Sequence, residues 1–184
     1  MFGLFFLIFI IVIGVSIYTH QRKKAFKREV VYPVLKEIFG EVEYGHTQGF
    51  QRDRIYQTKL VSSGNTYRSE DYLKATYEGV SFEFSDVLIQ NVTKTKDSTV
   101  TTTYFRGQWI IVKPKRKIDG RLYVIDRNFA HSNPKGFLFG KDHSLEKIEL
   151  ESIAFNKEFR IYTESGHEAF YMLNPTKLLK LLEI

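Results

Sequence analysis

Five histidines, His20, His46, His131, His143 and His167, are the side chains of this sequence best suited to move a proton or hold a metal near neutral pH. A zinc site wants such ligands at a readable spacing. His131 and His143, with Asp142 beside the second, make no H-x-x-x-H or H-E-x-x-H pattern. The sequence has no cysteine, which removes thiolate ligands, disulfides, a lipid-attachment cysteine and a thiol nucleophile together. The G-x-S-x-G elbow and the phosphate-cradling G-x-x-x-x-G-K-[ST] loop are absent too. Two carboxylate pairs, Glu70-Asp71 and Glu149 with Glu151, supply the acid and base of an alternative reading, a membrane-attached hydrolase using them with His131 or His143. General acid–base work also needs a pocket, and adjacent surface carboxylates are more commonly solvated charge. The sequence therefore assigns no catalytic residue, no metal ligand and no cofactor.

One other cluster carries charge rather than reactivity. Lys113, Lys115, Arg116, Lys117 and Arg121 gather around Pro114, with Trp109 and Tyr123 near enough in sequence to stack on a base. No nucleic-acid-binding signature surrounds them, so nucleic acid is the least favoured partner. A solvated hairpin tip, or a contact with anionic lipid or an acidic partner, accounts for the same residues.

These groups belong to a chain whose first stretch is unlike the rest. Phe2 to Tyr18 is free of charge, and Phe2, Leu4, Phe5, Phe6, Leu7, Ile8, Phe9, Ile10, Ile11, Val12, Ile13 and Val15 leave a helix no polar face. At about 1.5 Å per residue the run reaches about 26 Å, close to the roughly 30 Å of bilayer hydrocarbon. Residues 1–19 are expected to be a transmembrane anchor in contact with membrane lipid. Arg22, Lys23, Lys24, Lys27 and Arg28 follow against the single acid Glu29, so most of the formal charge of +6 lies before residue 30. Cations just past an apolar helix mark the cytoplasmic side, and each gains about 1 kcal/mol near an anionic leaflet. A cleaved signal peptide is the competing reading. Against it, Met1 runs straight into the apolar residues, no small-x-small site lies around Ser16 to His20, and the cations follow the run.

Residues 20–40 read as a basic juxtamembrane segment continuing into an amphipathic helix. Phe26, Val30, Val34 and Ile38, with Val31, Leu35 and Phe39, form one broad apolar stripe expected to pack on the domain that follows. Pro33 should kink that helix or restart it, and Gly40 should stop it. Residues 41–184 are enough for one domain, and 43% hydrophobic residues with 16 Phe and 11 Tyr exclude a disordered tail. A loop over Glu41 to Arg54 leads to a short helix over Asp53 to Leu60. Tyr72 to Tyr77 and Ser81 to Val92 predict a hairpin about Glu78-Gly79; Val100 to Val112 and Arg121 to Asp126 predict two further strands. Short apolar pieces at Ile148 to Leu150 and Phe159 to Tyr162 precede helices over Glu168 to Leu173 and Thr176 to Leu182, with Pro175 at a helix start. Phe82, Phe84, Phe105, Trp109, Phe155, Phe159 and Phe170 are the expected core, and Phe137-Leu138-Phe139 an edge strand or an exposed loop. Strands before helices, without βαβ alternation, predict an α+β fold with a mostly antiparallel sheet and flanking helices.

The order Glu70-Asp71 with Tyr72 to Gly79, Phe82-Glu83-Phe84-Ser85-Asp86-Val87, Phe105-Arg106-Gly107-Gln108-Trp109-Ile110 and Leu150-Glu151-Ser152 through Phe155 to Tyr162 resembles an uncharacterised bacterial membrane-associated family, domain of unknown function 3137. Glu168-Ala169-Phe170-Tyr171-Met172-Leu173-Asn174-Pro175 is similar to that family's E-A-R-Y-x-L-x-P stretch before a leucine-rich helix. The resemblance extends over about Phe26 to Ile184, and beside that family the chain looks short at its C-terminus. It implies no activity. It implies a bacterial inner-membrane location, so the expected protein is a single-pass membrane protein with a cytoplasmic binding or regulatory domain, a protein partner and no enzymatic reaction.

Overall fold

The computed structural model describes residues 22, 24–113, 120–129 and 144–182. The expected anchor, Lys23, Lys115, Arg116, Lys117, His20, His131, His143 and Phe137-Leu138-Phe139 lie outside the described residues. Among the described residues no helix is long and apolar enough to cross a membrane. The fold is α+β and mostly antiparallel. Its strands divide between two sheets, one of four strands and one of three, where a single sheet was expected. The chain also divides into two compact units, the first containing the residues up to Gly49 with Ser69–Asp86 and Gln108–Lys113, the second Phe50–Arg68, Val87–Gly107 and Pro114–Ile184.

In the first unit a π turn, Lys27–Val31, runs into helix α1, Tyr32–Phe39, which carries Pro33 in its first turn. Pro33 has no N–H to offer and its ring collides with the carbonyl four residues back, so the chain widens before it. The Tyr32 N–H accordingly reaches the Lys27 carbonyl, five residues back. Gly40, at φ 74°, ends the helix in a backbone region that glycine enters without strain.

Strands β1 (Glu43–Gly45), β2 (Thr66–Tyr77), β3 (Val80–Lys94) and β4 (Thr99–Val112) form the four-stranded sheet in that order. Between β2 and β3 the expected hairpin turns at Glu78 and Gly79, whose φ values of 49° and 75° are both positive, as a type I′ turn requires. Helix α2, Arg52–Tyr56, is shorter than the predicted Asp53 to Leu60 and buries Ile55. It belongs to the second unit, as does Gly64, where a Cβ would collide with the Gln90 carbonyl; only glycine fits there.

The rest of the second unit holds β5 (Leu122–Asp126), β6 (Glu146–Ile148), α3 (Ile153–Glu158), β7 (Phe159–Thr163), α4 (Gly166–Met172) and α5 (Pro175–Leu182). β7 is central, pairing antiparallel with β5 and β6 so that Ile161 stands opposite both Val124 and Ile148. Ser152 starts α3 by accepting from the Phe155 N–H, and Ser165 starts α4 by accepting from the Glu168 N–H, a Ser-x-x-Glu start. The Asn156 carboxamide, donating to the Leu150 carbonyl at 2.7 Å and accepting from the Leu150 N–H at 3.1 Å, pins the loop before α3. Leu150, Phe155, Ile161, Leu173 and Leu178 thereby close one core.

Of the expected core aromatics, Phe155 and Trp109 are buried, while Phe82, Phe84, Phe105 and Phe159 are half-buried. Phe170 is exposed instead. Ala169 and Leu173, four apart, take the inner face of the helix, and Phe170 is turned about 100° from Ala169. Phe155 is fully buried and stacks on Phe159 with centroids 4.6 Å apart, so Phe155→Ala should cost about 3–5 kcal/mol. Ile153→Ala, in the same helix but exposed, should stay within about 0.5 kcal/mol; urea titrations of the two variants check both values.

Candidate functional site

Among the described residues, a lysine, a tyrosine and several carboxylates come together in the first unit. Asp71 lies within β2 with φ 59°, a left-handed conformation that Asp tolerates better than most residues. Its carboxylate accepts from the Lys27 ammonium of the π turn and from the Tyr44 hydroxyl of β1, at 2.8 Å for the tyrosine. Both partners of the Lys27–Asp71 pair are mostly covered, so it is a clasp between the helical segment and the sheet rather than a solvated surface pair. Tyr32 stacks on Tyr44 with centroids 6.3 Å apart, and Phe39 meets Tyr77 and Phe82 edge-on at 6.0 and 5.4 Å. Lys27, Val31, Leu35 and Phe39, each four apart and so on one helix face, are all half-buried.

Beneath the clasp, Ser85 is completely buried with its hydroxyl satisfied, donating to the Glu70 carbonyl at 2.7 Å and sharing a 2.8 Å bond with Ser69. Burial, then the charges of Asp71 and Glu70, push the Asp86 carboxyl above its usual range, with Lys27 opposing them. Burial, followed by the bond to Asp71 and the surrounding acids, pushes the Tyr44 hydroxyl well above the usual tyrosine range. A tyrosine so held keeps its proton at neutral pH, which suits it to donate a hydrogen bond and not to act as a base or nucleophile.

The described members of the expected site residues fall in both units. Arg22 and Lys24 are exposed, Arg28 pairs with its neighbour Glu29 at 3.0 Å, and Lys27 is engaged by Asp71. Lys113 is exposed and its N–H donates to the Ser81 carbonyl. Arg121, the other described member of the basic tip, is bound by Glu164: Nε and Nη2 donate to Oε1 at 2.9 and 2.7 Å, and the backbone N–H donates to Oε2 at 2.8 Å. That grip holds the Glu164 carboxyl below the usual carboxylate range, the guanidinium bond first. Lys113 and Arg121 fall in different units. Of the carboxylate pairs, Glu149 faces Lys147 at 3.5 Å and Glu151 is exposed. His46 sits half-buried in the turn after β1, and His167 is exposed in α4. Among the described residues no three His, Asp or Glu side chains converge as a metal site would require. Nothing in the sequence spacing joins Lys27 to Asp71; the one signal was the acidic pair Glu70-Asp71 just before the expected strand.

The comparisons bear on the C-terminal half. The family described as protein of unknown function (DUF3137) matches residues 103–184. The family named from the sequence is thus the one that matches, over a shorter range than expected, and the motifs quoted from Glu70 to Val87 lie upstream of it. No curated protein matches the chain, and no solved structure does.

Two predictions test the clasp. A double-mutant cycle of Lys27→Met and Asp71→Asn should return a coupling of about 0.5–3 kcal/mol in denaturant titrations, because the two groups touch. Asp86 binds its proton more tightly folded than unfolded, so its ionisation costs stability as pH rises from the unfolded value through the raised folded one. Asp86→Asn should therefore raise the urea midpoint at neutral pH and leave it unchanged below the ordinary aspartate range.

Proposed function

We propose that this chain is a single-pass membrane protein whose α+β domain is a binding or regulatory module at the cytoplasmic face of a bacterial membrane. One observation carries the reading: the charge-free run Phe2 to Tyr18 is followed at once by Arg22, Lys23, Lys24, Lys27 and Arg28. The run is apolar enough to prefer hydrocarbon, and the cations resist translocation, leaving the domain on the inner side. Support for binding over catalysis comes from the clasp. Its lysine, tyrosine and aspartate are engaged with one another, and the tyrosine holds its proton.

Ser98 lies exposed at the β3–β4 turn, in a protein without cysteine. In Ser98→Cys, an impermeant thiol reagent should label the protein only after lysis, and the protein should stay with membranes through alkaline carbonate extraction. Labelling in intact cells would move the domain to the envelope; release by carbonate would remove the anchor.

A further inference from the structure

The clasp divides the broad apolar stripe of residues 26–39 in two. The ladder Lys27, Val31, Leu35, Phe39 turns to the sheet and is half-buried. The adjacent ladder Phe26, Val30, Val34, Ile38 is left facing water, at 58, 46, 47 and 56% exposure. Four large apolar side chains in a row on one exposed helix face are a contiguous patch, not the scattered apolar surface ordinary for a soluble domain. Part of it, Phe26 and Val30, borders a groove lined also by Arg22, Ala25, Lys27 and Glu29.

We infer that this outward ladder lies in the headgroup region of an anionic phospholipid bilayer, as an interfacial helix. The inference rests on the anchor reading and adds a second, side-on contact to it. The first argument is reach. Phe26 is eight residues from Tyr18, the end of the apolar run, so even a fully extended link keeps it within about 28 Å of the hydrocarbon boundary. The second is charge. Arg22, Lys24 and Arg28, against the single acid Glu29, are exposed at the same end of the helix as Phe26, whereas Glu37 and Glu41, against the single cation Lys36, stand at the other end. An amphipathic helix with apolar side chains on one side and cations beside them is the form that settles into an anionic interface. The third is the helical widening at Lys27–Val31. It turns Lys27 onto Asp71 while Val30 points outward, so the clasp itself presents the ladder.

The test uses the full chain in vesicles of phosphatidylcholine and phosphatidylglycerol, with single cysteines replacing Ile10, Val30 or Lys36, each carrying a nitrobenzoxadiazole dye. The Val30 label should emit to the blue of the Lys36 label and resist quenching by aqueous iodide, and the difference should shrink when phosphatidylglycerol is omitted. Equal quenching at Val30 and Lys36, with the Ile10 label protected, would overturn the inference and leave the anchor standing. A quenched Ile10 label would instead overturn the anchor reading. Protection at Val30 that fades when the chain is reconstituted at a lower protein-to-lipid ratio, as copies separate, would put a second copy of the chain on the ladder and also overturn the inference.

Discussion

A half-buried carboxylate has to find partners, and in this protein the answer to that demand fixes the orientation of a helix. Asp71 stands in a sheet strand close to Glu70 and Asp86, where a further uncompensated negative charge is costly. Lys27 supplies the opposite charge and Tyr44 a hydrogen bond. Once Lys27 is committed to Asp71, the residues four apart from it, Val31, Leu35 and Phe39, follow it onto the sheet. The aromatic contacts of Tyr32 and Phe39 then extend the same register along the helix. One ion pair thus decides which half of an apolar stripe is covered and which is left outside.

The second unit depends on a different constraint, the filling of a small core by local elements. β7 carries Ile161 and Thr163 inward, α3 delivers Phe155, and α4 and α5 deliver Leu173 and Leu178. Helices α3, α4 and α5 each begin at a residue that accepts from one of the free N–H groups: Ser152, Ser165 and Asn174. Arg121 and Glu164 close the end of the β5–β7 pair through both side chain and backbone. Charge there is spent on geometry.

This contrast explains what was legible in the sequence. The Glu78-Gly79 hairpin, the strands β4 and β5 and the helix start at Pro175 came from turn chemistry and periodicity, which act within a few residues, whereas β7 was legible only as a short apolar piece. Helix α3 was not read, because Ile153 to Glu158 is too short for a periodic signal and its cap, Ser152, is visible only as one serine among many. Strand β1 is three residues long and exists only by pairing with β2. The clasp was hidden for the same reason on a larger scale: 44 residues separate Lys27 from Asp71. Composition placed apolar residues on one broad helix face, but only a distant carboxylate could divide that face in two.

The division bears on how charge should be read in this chain. A formal charge of +6 suggests a basic protein, yet Arg121 and Lys27 are consumed by Glu164 and Asp71, and Arg28 leans on Glu29. Arg22 and Lys24, exposed near the start, lie beside the exposed ladder. Charge located at one end of an apolar stripe gives that stripe a direction relative to an anionic surface, because the cationic end is drawn in while Glu37 and Glu41 are held off. A uniform +6 would attract the domain without orienting it. The arrangement here favours one approach, with the N-terminal end of the helix leading.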